Sequence, residues 1–253
     1  GMMMIDCHAH ILPAFDDGAK DMEMSLKMLE LSKADGISGI ISTSHCYPQT
    51  GENISEFARR RDERLSELKA AQNEIPVYSG CELNMLTDVS EYEETRKACI
   101  NNTNYIMIEM PWDEWKEWHI EAVYKLTIRS YIPIIAHIDR YVMHDKKLLN
   151  SLFELNVLYQ INAEGFSDSF RKKFVRELVA SKRAHLLGSD MHNTSSRAPN
   201  LAKARAEIIK NYGEDCMDYF ISNAEKVVKG DEISESDFIS FNKKSFMDKL
   251  RKR

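Results

Sequence analysis

The run Asp6-Cys7-His8-Ala9-His10 ends a short apolar stretch that begins near Met3, and it continues through Ile11-Leu12-Pro13-Ala14-Phe15-Asp16-Asp17-Gly18. On an extended strand, residues two apart share a face, so the imidazoles of His8 and His10 aim at one point. Two converging imidazoles suit a divalent transition metal. Taken alone, the pair fits equally well two partly exposed histidines in a half-buried strand. What turns the reading toward a metal is recurrence: side chains of the same kind close the later strands.

Outward from this run, the chain alternates. Residues 3–7 read as a first strand. Asp21 caps a helix running to about residue 35, with Met24, Met28 and Leu31, and Leu26 and Leu29, at helical spacing, and its Met-rich face reads as core packing. Gly36 stops that helix. Residues 37–43 are a second, β-branched strand ending in Ser44-His45. Residues 54–72 form a charged amphipathic helix whose Arg59-Arg60-Arg61 run reads as a solvated face. A third strand over 76–81 ends at Glu82, and a helix follows within 91–99. A fourth strand over 105–108 ends at Glu109. The helix over 115–130 is expected to turn Trp118 and Val123 toward the sheet. A fifth strand over 132–136 ends at His137. A helix over 146–155, a sixth strand over 157–162 and a helix over 170–182 lead to a seventh strand over 185–187. Gly188-Ser189-Asp190-Met191-His192 follows it. Helices over 201–211 and 215–228 precede a basic tail, 243–253.

Strand and helix alternate seven times, which argues a parallel sheet with helices packed outside it. No Pro/Gly/Ser-rich linker and no repeat interrupts the pattern. The expected fold is α/β, a distorted (β/α)7 TIM-like barrel, with residues 2–253 as one domain and Gly1 set aside as an expression remnant. An open doubly wound sheet is the alternative, but its Gly-rich turn after the first strand is absent.

At 253 residues, 43% hydrophobic and 29% charged, the chain has ample material for a core. Lys+Arg 34 against Asp+Glu 40 gives −6, a field that does not favour nucleic acid. Five cysteines with no C-x-x-C pair suit a reduced, cytoplasmic compartment. No run is apolar and long enough to span a bilayer, and no secretory signal is visible. The tail reads as a solvated last helix, with contact to anionic lipid or to an acidic protein surface as the other reading.

The strand ends collect His8 and His10, His45, Glu82, Glu109, His137, and Asp190 with His192. In a parallel barrel all strand C-termini lie on one rim, where active sites sit. Asp17, in the first loop, reaches the same rim. Nine donors exceed what one ion takes, so bridging carboxylates would let them hold two or three. The mixed N/O set suits manganese, iron or zinc, with magnesium as a harder alternative, rather than calcium. Four carboxylates against three dications leave the filled mouth positive, which attracts a phosphorylated substrate. Arg140 and Arg197 open on that rim, and guanidinium forks bind phosphate oxygens; pairing with a nearby carboxylate such as Asp139 is the other reading. His119, His144 and His185 read as surface or packing residues. Cys7 and Cys81 should turn away from the donors, into the packing layer. Glu164 could stand behind the donors. There is no Cys-x5-Arg loop, G-x-S-x-G elbow or G-x-x-x-x-G-K-[ST] loop, so the chemistry is expected from metal-activated water rather than a protein nucleophile.

These motifs, D-C-H-A-H-I-L-P-A-F-D-D-G, S-T-S-H-C-Y-P, G-C-E-L, I-E-M-P, I-I-A-H-I-D-R-Y and G-S-D-M-H-N-T-S-S-R, resemble in order those of the polymerase-and-histidinol-phosphatase (PHP) superfamily. Within it the H-I-L-P-x-x-D-D-G run is similar to the bacterial protein-tyrosine phosphatases of capsule and exopolysaccharide clusters. Two places depart from the pattern: Ile138-Asp139 stands where Pro-Glu is usual before the Arg, and Glu164-Gly165 where Gly-Ser is usual. The resemblance implies a distorted seven-stranded barrel with a trinuclear, Mn2+-preferring site. His8, His10, Glu82 and Asp190 would hold one ion. Glu82, Glu109 and His137 would hold a second, and Asp17, His45 and His192 a third. Arg140 and Arg197 would clamp the phosphate of a phosphotyrosine-bearing protein, a bacterial tyrosine autokinase. The rivals are a histidinol-phosphate-type small-molecule phosphatase and a non-catalytic metal-binding subunit.

Overall fold

The computed structural model describes residues 3–234. The basic tail and its expected last helix lie outside the described residues. β1 (Ile5–Ala9) runs parallel to β2 (Gly39–Ser42), with Ile5 opposite Gly39, and β2 runs parallel to β4 (Val77–Tyr78), with Ile40 opposite Val77. A second set follows in spatial order: β3 (His45–Cys46), β5 (Glu82–Asn84), β6 (Tyr105–Glu109), β7 (Ile132–Ile135), β8 (Leu158–Asn162) and β9 (Leu186–Gly188). Every one of these pairs is parallel.

The expected second and third strands are each split in two. β1 slips register between Asp6 and Ala9, and the neighbouring chain follows it. The Thr43 N–H donates to Ala9 O, whereas Ser44 O accepts from the Glu82 N–H, so the backbone changes partner strand between β2 and β3. The far edge then returns to the near one. Ala9 bridges Met191 in parallel, the His10 N–H donates to Met191 O at 3.0 Å, and the Asp190 N–H donates to His8 O at 2.7 Å. The result is an α/β fold whose parallel sheet curls from β1 round to β9.

Parallel neighbours need crossovers, and helices supply most of them. α1 (Met22–Ala34) starts where the Asp21 carboxylate accepts from the Met24 N–H, and Gly36, at φ +87°, ends it. At the start of α2 (Gly51–Ala71) the Asn53 side chain accepts from the Gln49 and Thr50 N–H groups. α3 (Glu117–Ile128), α4 (Lys146–Phe153), α5 (Lys172–Ala180), α6 (Leu201–Tyr212) and α7 (Glu214–Lys229) follow. No helix among the described residues is long and apolar enough to cross a membrane.

One expectation is corrected. Residues 91–99 form short 3-10 turns, not an α-helix: Tyr92 is extended, and the Thr95 hydroxyl donates to Val89 O, drawing the chain into a local turn. Trp118 is partly buried and packs against the main apolar cluster, stacking on His119, while the deeply buried tryptophan is Trp115, before α3, whose indole donates to Pro111 O at 2.8 Å. Val123 is buried as expected.

A smaller apolar cluster joins Ile5, Cys7, Ile41, Tyr105, Met107, Ile134 and Leu186 to Ala224, Val227 and Val228 of α7. Ile5, Tyr105 and Leu186 of this cluster are the first residues of their strands. The titratable side chains sit at the other ends.

Candidate metal centre

His8 and His10 are fully buried at the end of β1, and their ring tautomers follow from their neighbours. The Gln160 Oε1 atom accepts from the His137 N–H at 2.8 Å, so it is the amide oxygen, and His8 Nδ1 donates to it at 2.8 Å. His10 Nδ1 donates to Asp16 Oδ2 at 2.9 Å, and His192 Nδ1 donates to Asp190 O at 2.8 Å. In the neutral state each of these rings therefore carries a bare lone pair on Nε2.

Those lone pairs meet other acceptors. His8 Nε2 lies 3.2 Å from His10 Nε2 and 2.9 Å from Glu82 Oε1. Asp190 Oδ1 lies 3.2 Å from His8 Nε2 and 3.1 Å from His10 Nε2. Asp17 Oδ1 lies 3.3 Å from His192 Nε2 and 3.4 Å from His45 Nε2. His45 Nδ1 and Glu82 Oε2 are 3.3 Å apart, yet each is buried without a hydrogen-bond partner, as are His192 Nε2 and His137 Nδ1. Acceptors packed this closely need a cation among them, either protons on the imidazoles or a metal. Three overlapping sets have donor atoms within 4.8 Å of one another: His8, His10, Glu82 and Asp190; His10, Asp17, His45 and His192; and His45, Glu82 and Glu109. An N/O set of this kind fits a transition-metal dication.

The structure thus gathers all nine expected side chains at one mouth, with two changes of grouping. His45 joins Glu82 and Glu109, because β3 pairs with β5 in a register that sets His45 opposite Glu82. His137 stands beside that set, its Nε2 3.3 Å from Glu109 Oε2 and 3.5 Å from Glu82 Oε1. His10 joins Asp17, His45 and His192.

The loops are shaped for this convergence. Gly188 lies so close to His8 that a Cβ there would stand 2.5 Å from His8 Cβ. His137 and Asp190 adopt left-handed backbone, φ 33° and 55°, at a cost of roughly 1–2 kcal/mol each.

The charges are strongly coupled. Burial works against ionising Glu82, but His8 and then His137 outweigh it and hold the carboxyl well below its usual range. Burial likewise opposes Asp190, and His8, His10 and Arg140 hold it down. Burial lowers His137, but Glu109 and Glu82 lift it to about 9. His10 is raised well above its usual value against burial, chiefly by Asp16 and Asp190. Burial and the neighbouring His10 drop His192 to about 4.

Arg140 and Arg197 do not pair with Asp139. Both donate from Nη2 to Asp190 Oδ2, at 2.7 and 3.0 Å, while Asp139 is held by Arg171 at 2.8 Å. Asp190 is thus divided, one oxygen toward the imidazoles and one toward the guanidiniums. Arg140, Arg197, Asn162, Glu164, Ser189 and Asp190 line a cavity of about 290 Å³ beside the donors. Glu164 pairs with Arg171 at 3.1 Å. His119 and His185 serve packing: His119 Nδ1 accepts from the Lys116 N–H, and His185 Nδ1 from the Tyr159 N–H. His144 packs against Trp115 and Tyr141. Cys7 and Cys81 are buried in apolar clusters.

Four supporting residues escaped the sequence reading. Asp16 orients His10 and accepts from the His45 N–H at 3.0 Å. Gln160 and Asn162 form a relay, Gln160 Nε2 donating to Asn162 Oδ1 and Asn162 Nδ2 to Asp190 Oδ2. Asp6 accepts from the His8 and Ser189 N–H groups, tying β1 to the loop after β9. Gln160 and Asn162 carried a signal, two polar residues at period two in an otherwise apolar strand.

This constellation has counterparts among known proteins. The chain is 30% identical over 238 residues to the tyrosine-protein phosphatase YwqE of Bacillus subtilis, spanning 91% of this chain and 93% of that protein. It is 29% identical over 240 residues to the tyrosine-protein phosphatase CpsB of Streptococcus agalactiae, spanning 89% and 98%. Among solved structures it superposes, with a TM-score of 0.79 at 29% identity over 91% of this chain and 96% of the other, on a chain from the crystal structures of YwqE from B. subtilis and CpsB from Streptococcus pneumoniae, described as unique metal-dependent tyrosine phosphatases. The capsular polysaccharide synthesis family CpsB/CapC matches residues 4–229, nearly all of the described chain, and the protein belongs to that family.

Proposed function

We propose that the protein is a metal-dependent protein-tyrosine phosphatase, a single-domain (β/α)7 barrel of PHP type acting in the cytoplasm on a phosphotyrosine-bearing protein. A tyrosine autokinase that controls capsule or exopolysaccharide synthesis is the partner this family membership suggests. His8, His10, Asp17, His45, Glu82, Glu109, His137, Asp190 and His192 would hold two or three ions, with Mn2+ the preferred metal. The observation that carries the reading is the overlap of three donor sets through His10, His45 and Glu82, beside two arginines that share one carboxylate.

Bound dications supply Lewis-acid polarisation of the phosphoryl group and a reactive water at neutral pH. The chain does the rest. Gln160, Asp16 and the Asp190 carbonyl hold Nδ1 protons on His8, His10 and His192, so their Nε2 atoms stay free to coordinate. Arg140 and Arg197 are already partly neutralised by Asp190 and face the cavity, where they can take up phosphate oxygens. The leaving phenol has a pKa of about 10, so departure of the tyrosyl oxygen needs no strong protein acid.

The test loads the protein in turn with Mn2+, Fe2+, Zn2+ and Mg2+ and compares a phosphotyrosyl peptide, a phosphoseryl peptide and histidinol phosphate. Fastest release from the phosphotyrosyl peptide is expected with Mn2+, by about 100-fold over the other substrates, and chelator should abolish it. Preference for histidinol phosphate would overturn the reading. A second expectation concerns support of the donors. Gln160→Leu removes the acceptor that orients His8 and should weaken Mn2+ binding about 10- to 100-fold in a calorimetric titration. Unchanged affinity would remove Gln160 from the site.

A further inference from the structure

Scattered exposed apolar side chains are ordinary on a protein surface. Their distribution here is not. Of the eight large exposed apolar residues among the described residues, Leu31, Tyr124 and Ile128 lie on helices. The other five, Tyr47, Leu86, Trp112, Met143 and Phe170, lie in the segments that follow β3, β5, β6, β7 and β8. β3, β5 and β6 carry the donors His45, Glu82 and Glu109, and His137 follows β7, so the first four of these segments leave the sheet beside the mouth.

Two of the five are rings tied to the site itself. Tyr47 is 56% exposed, and its ring lies over that of His45 with centroids 5.3 Å apart and planes 22° apart. Trp112 is 68% exposed, three residues beyond Glu109, and the Arg140 guanidinium carbon lies 5.8 Å from its ring centre. One ring is therefore anchored at the donor sets and the other at the anion clamp, and each keeps surface open to solvent. A phosphate held by Arg140 and Arg197 must project its ester group away from the buried donors, out past this rim.

We propose that Tyr47 and Trp112 form an aromatic grip that takes the phenyl ring of a phosphotyrosyl side chain presented on an extended polypeptide segment. Leu86 and Met143, in the exposed segments after β5 and β7, offer apolar contact to residues flanking it. Aromatic rings pair best in offset or edge-to-face arrangements, which two solvent-open rings can offer a phenyl group, whereas a phosphoseryl side chain brings no ring to the mouth. The grip rests on the phosphatase reading above and adds to it the source of the aryl preference.

The test measures kcat and KM for a phosphotyrosyl peptide, together with the inhibition constant of inorganic phosphate, in Tyr47→Ala and Trp112→Ala. Each variant should raise KM about tenfold, which corresponds to about 1.4 kcal/mol, while the phosphate inhibition constant stays at the wild-type value. Tyr47→Phe should recover the loss, because the ring and not the hydroxyl makes the contact. An unchanged KM in both alanine variants sinks the grip. So does a phosphate inhibition constant that rises in step with KM, since the damage would then be to the anion clamp. Failure of the wild-type protein to hydrolyse the peptide would instead sink the phosphatase reading, and the grip with it.

Discussion

Asp190→Ala is expected to abolish phosphatase activity, lowering kcat/KM for an aryl phosphate by at least about 10³-fold while the fold persists. The carboxylate has two jobs. Its Oδ1 stands within 3.2 Å of the Nε2 atoms of both His8 and His10, and its Oδ2 accepts from Arg140, Arg197 and Asn162. Truncation removes a donor from one set and at the same time frees both guanidiniums from their shared anchor. Breaking a buried ion pair by deleting one partner costs about 3–5 kcal/mol, and the partly exposed arginines can recover some of that through water. The folded state should therefore survive at moderate temperature, which circular dichroism would verify. Elemental analysis should find less bound metal than in the wild type, read beside initial rates at saturating Mn2+. Asp190→Asn provides a sharper variant, since the replacement keeps the shape but loses the charge that balances two guanidiniums. Wild-type turnover in either protein would mean that the site lies elsewhere.

Much of this geometry was legible before the fold was known, for a simple reason. Period two places His8 and His10 together, and parallel strands carry Glu82, Glu109, His137, Asp190 and His192 to one rim. Loop conformation and strand register were not legible. Asp16 and Asp17 are adjacent and chemically alike. The resemblance picks out Asp17 with His45 and His192, but that Asp16 turns onto the His10 ring depends on the closure of the first loop, where a Cβ on Gly18 would stand 2.3 Å from His10 O. The second membership of His45, in the set with Glu82 and Glu109, depends on a ladder between segments almost forty residues apart, and on the partner change that splits the second strand. Asp139 is the carboxylate that sequence proximity offers to Arg140 as the other reading. The left-handed backbone at His137 opens a 3-10 turn in which Asp139 is fully buried against Arg171 and the Asn162 N–H, leaving Arg140 to reach Asp190.

Metal is expected to reverse the sign of the pH dependence of stability between pH 6.5 and 9. In the metal-free protein the carboxylates of the mouth hold protons on imidazoles. His137 titrates at about 9 in the folded state, against about 6.5 unfolded. Its contribution is fully present below pH 6.5 and is lost as pH rises through 9, and the raised value of His10 acts in the same direction. The depressed carboxylates Glu82 and Asp190 contribute stability that is lost only in acid, so they are flat across this window. His192, lowered to about 4, favours the neutral form and weakens the fold only as pH falls below 6.5. The metal-free protein should therefore lose on the order of 3 kcal/mol from His137 alone across the window, a fall in Tm of roughly 6–12 °C for a chain of this size. Coordination requires neutral imidazoles and expels those protons, so metal affinity rises with pH and the stabilisation it brings grows over the same range. Thermal melts in chelator and in excess Mn2+ at pH 6.5, 7.5 and 8.5 should diverge, the first falling and the second level or rising. Calorimetric titrations in buffers of different ionisation enthalpy should register proton release on binding. Parallel pH slopes with and without metal, or binding without proton release, would place the ions away from these histidines.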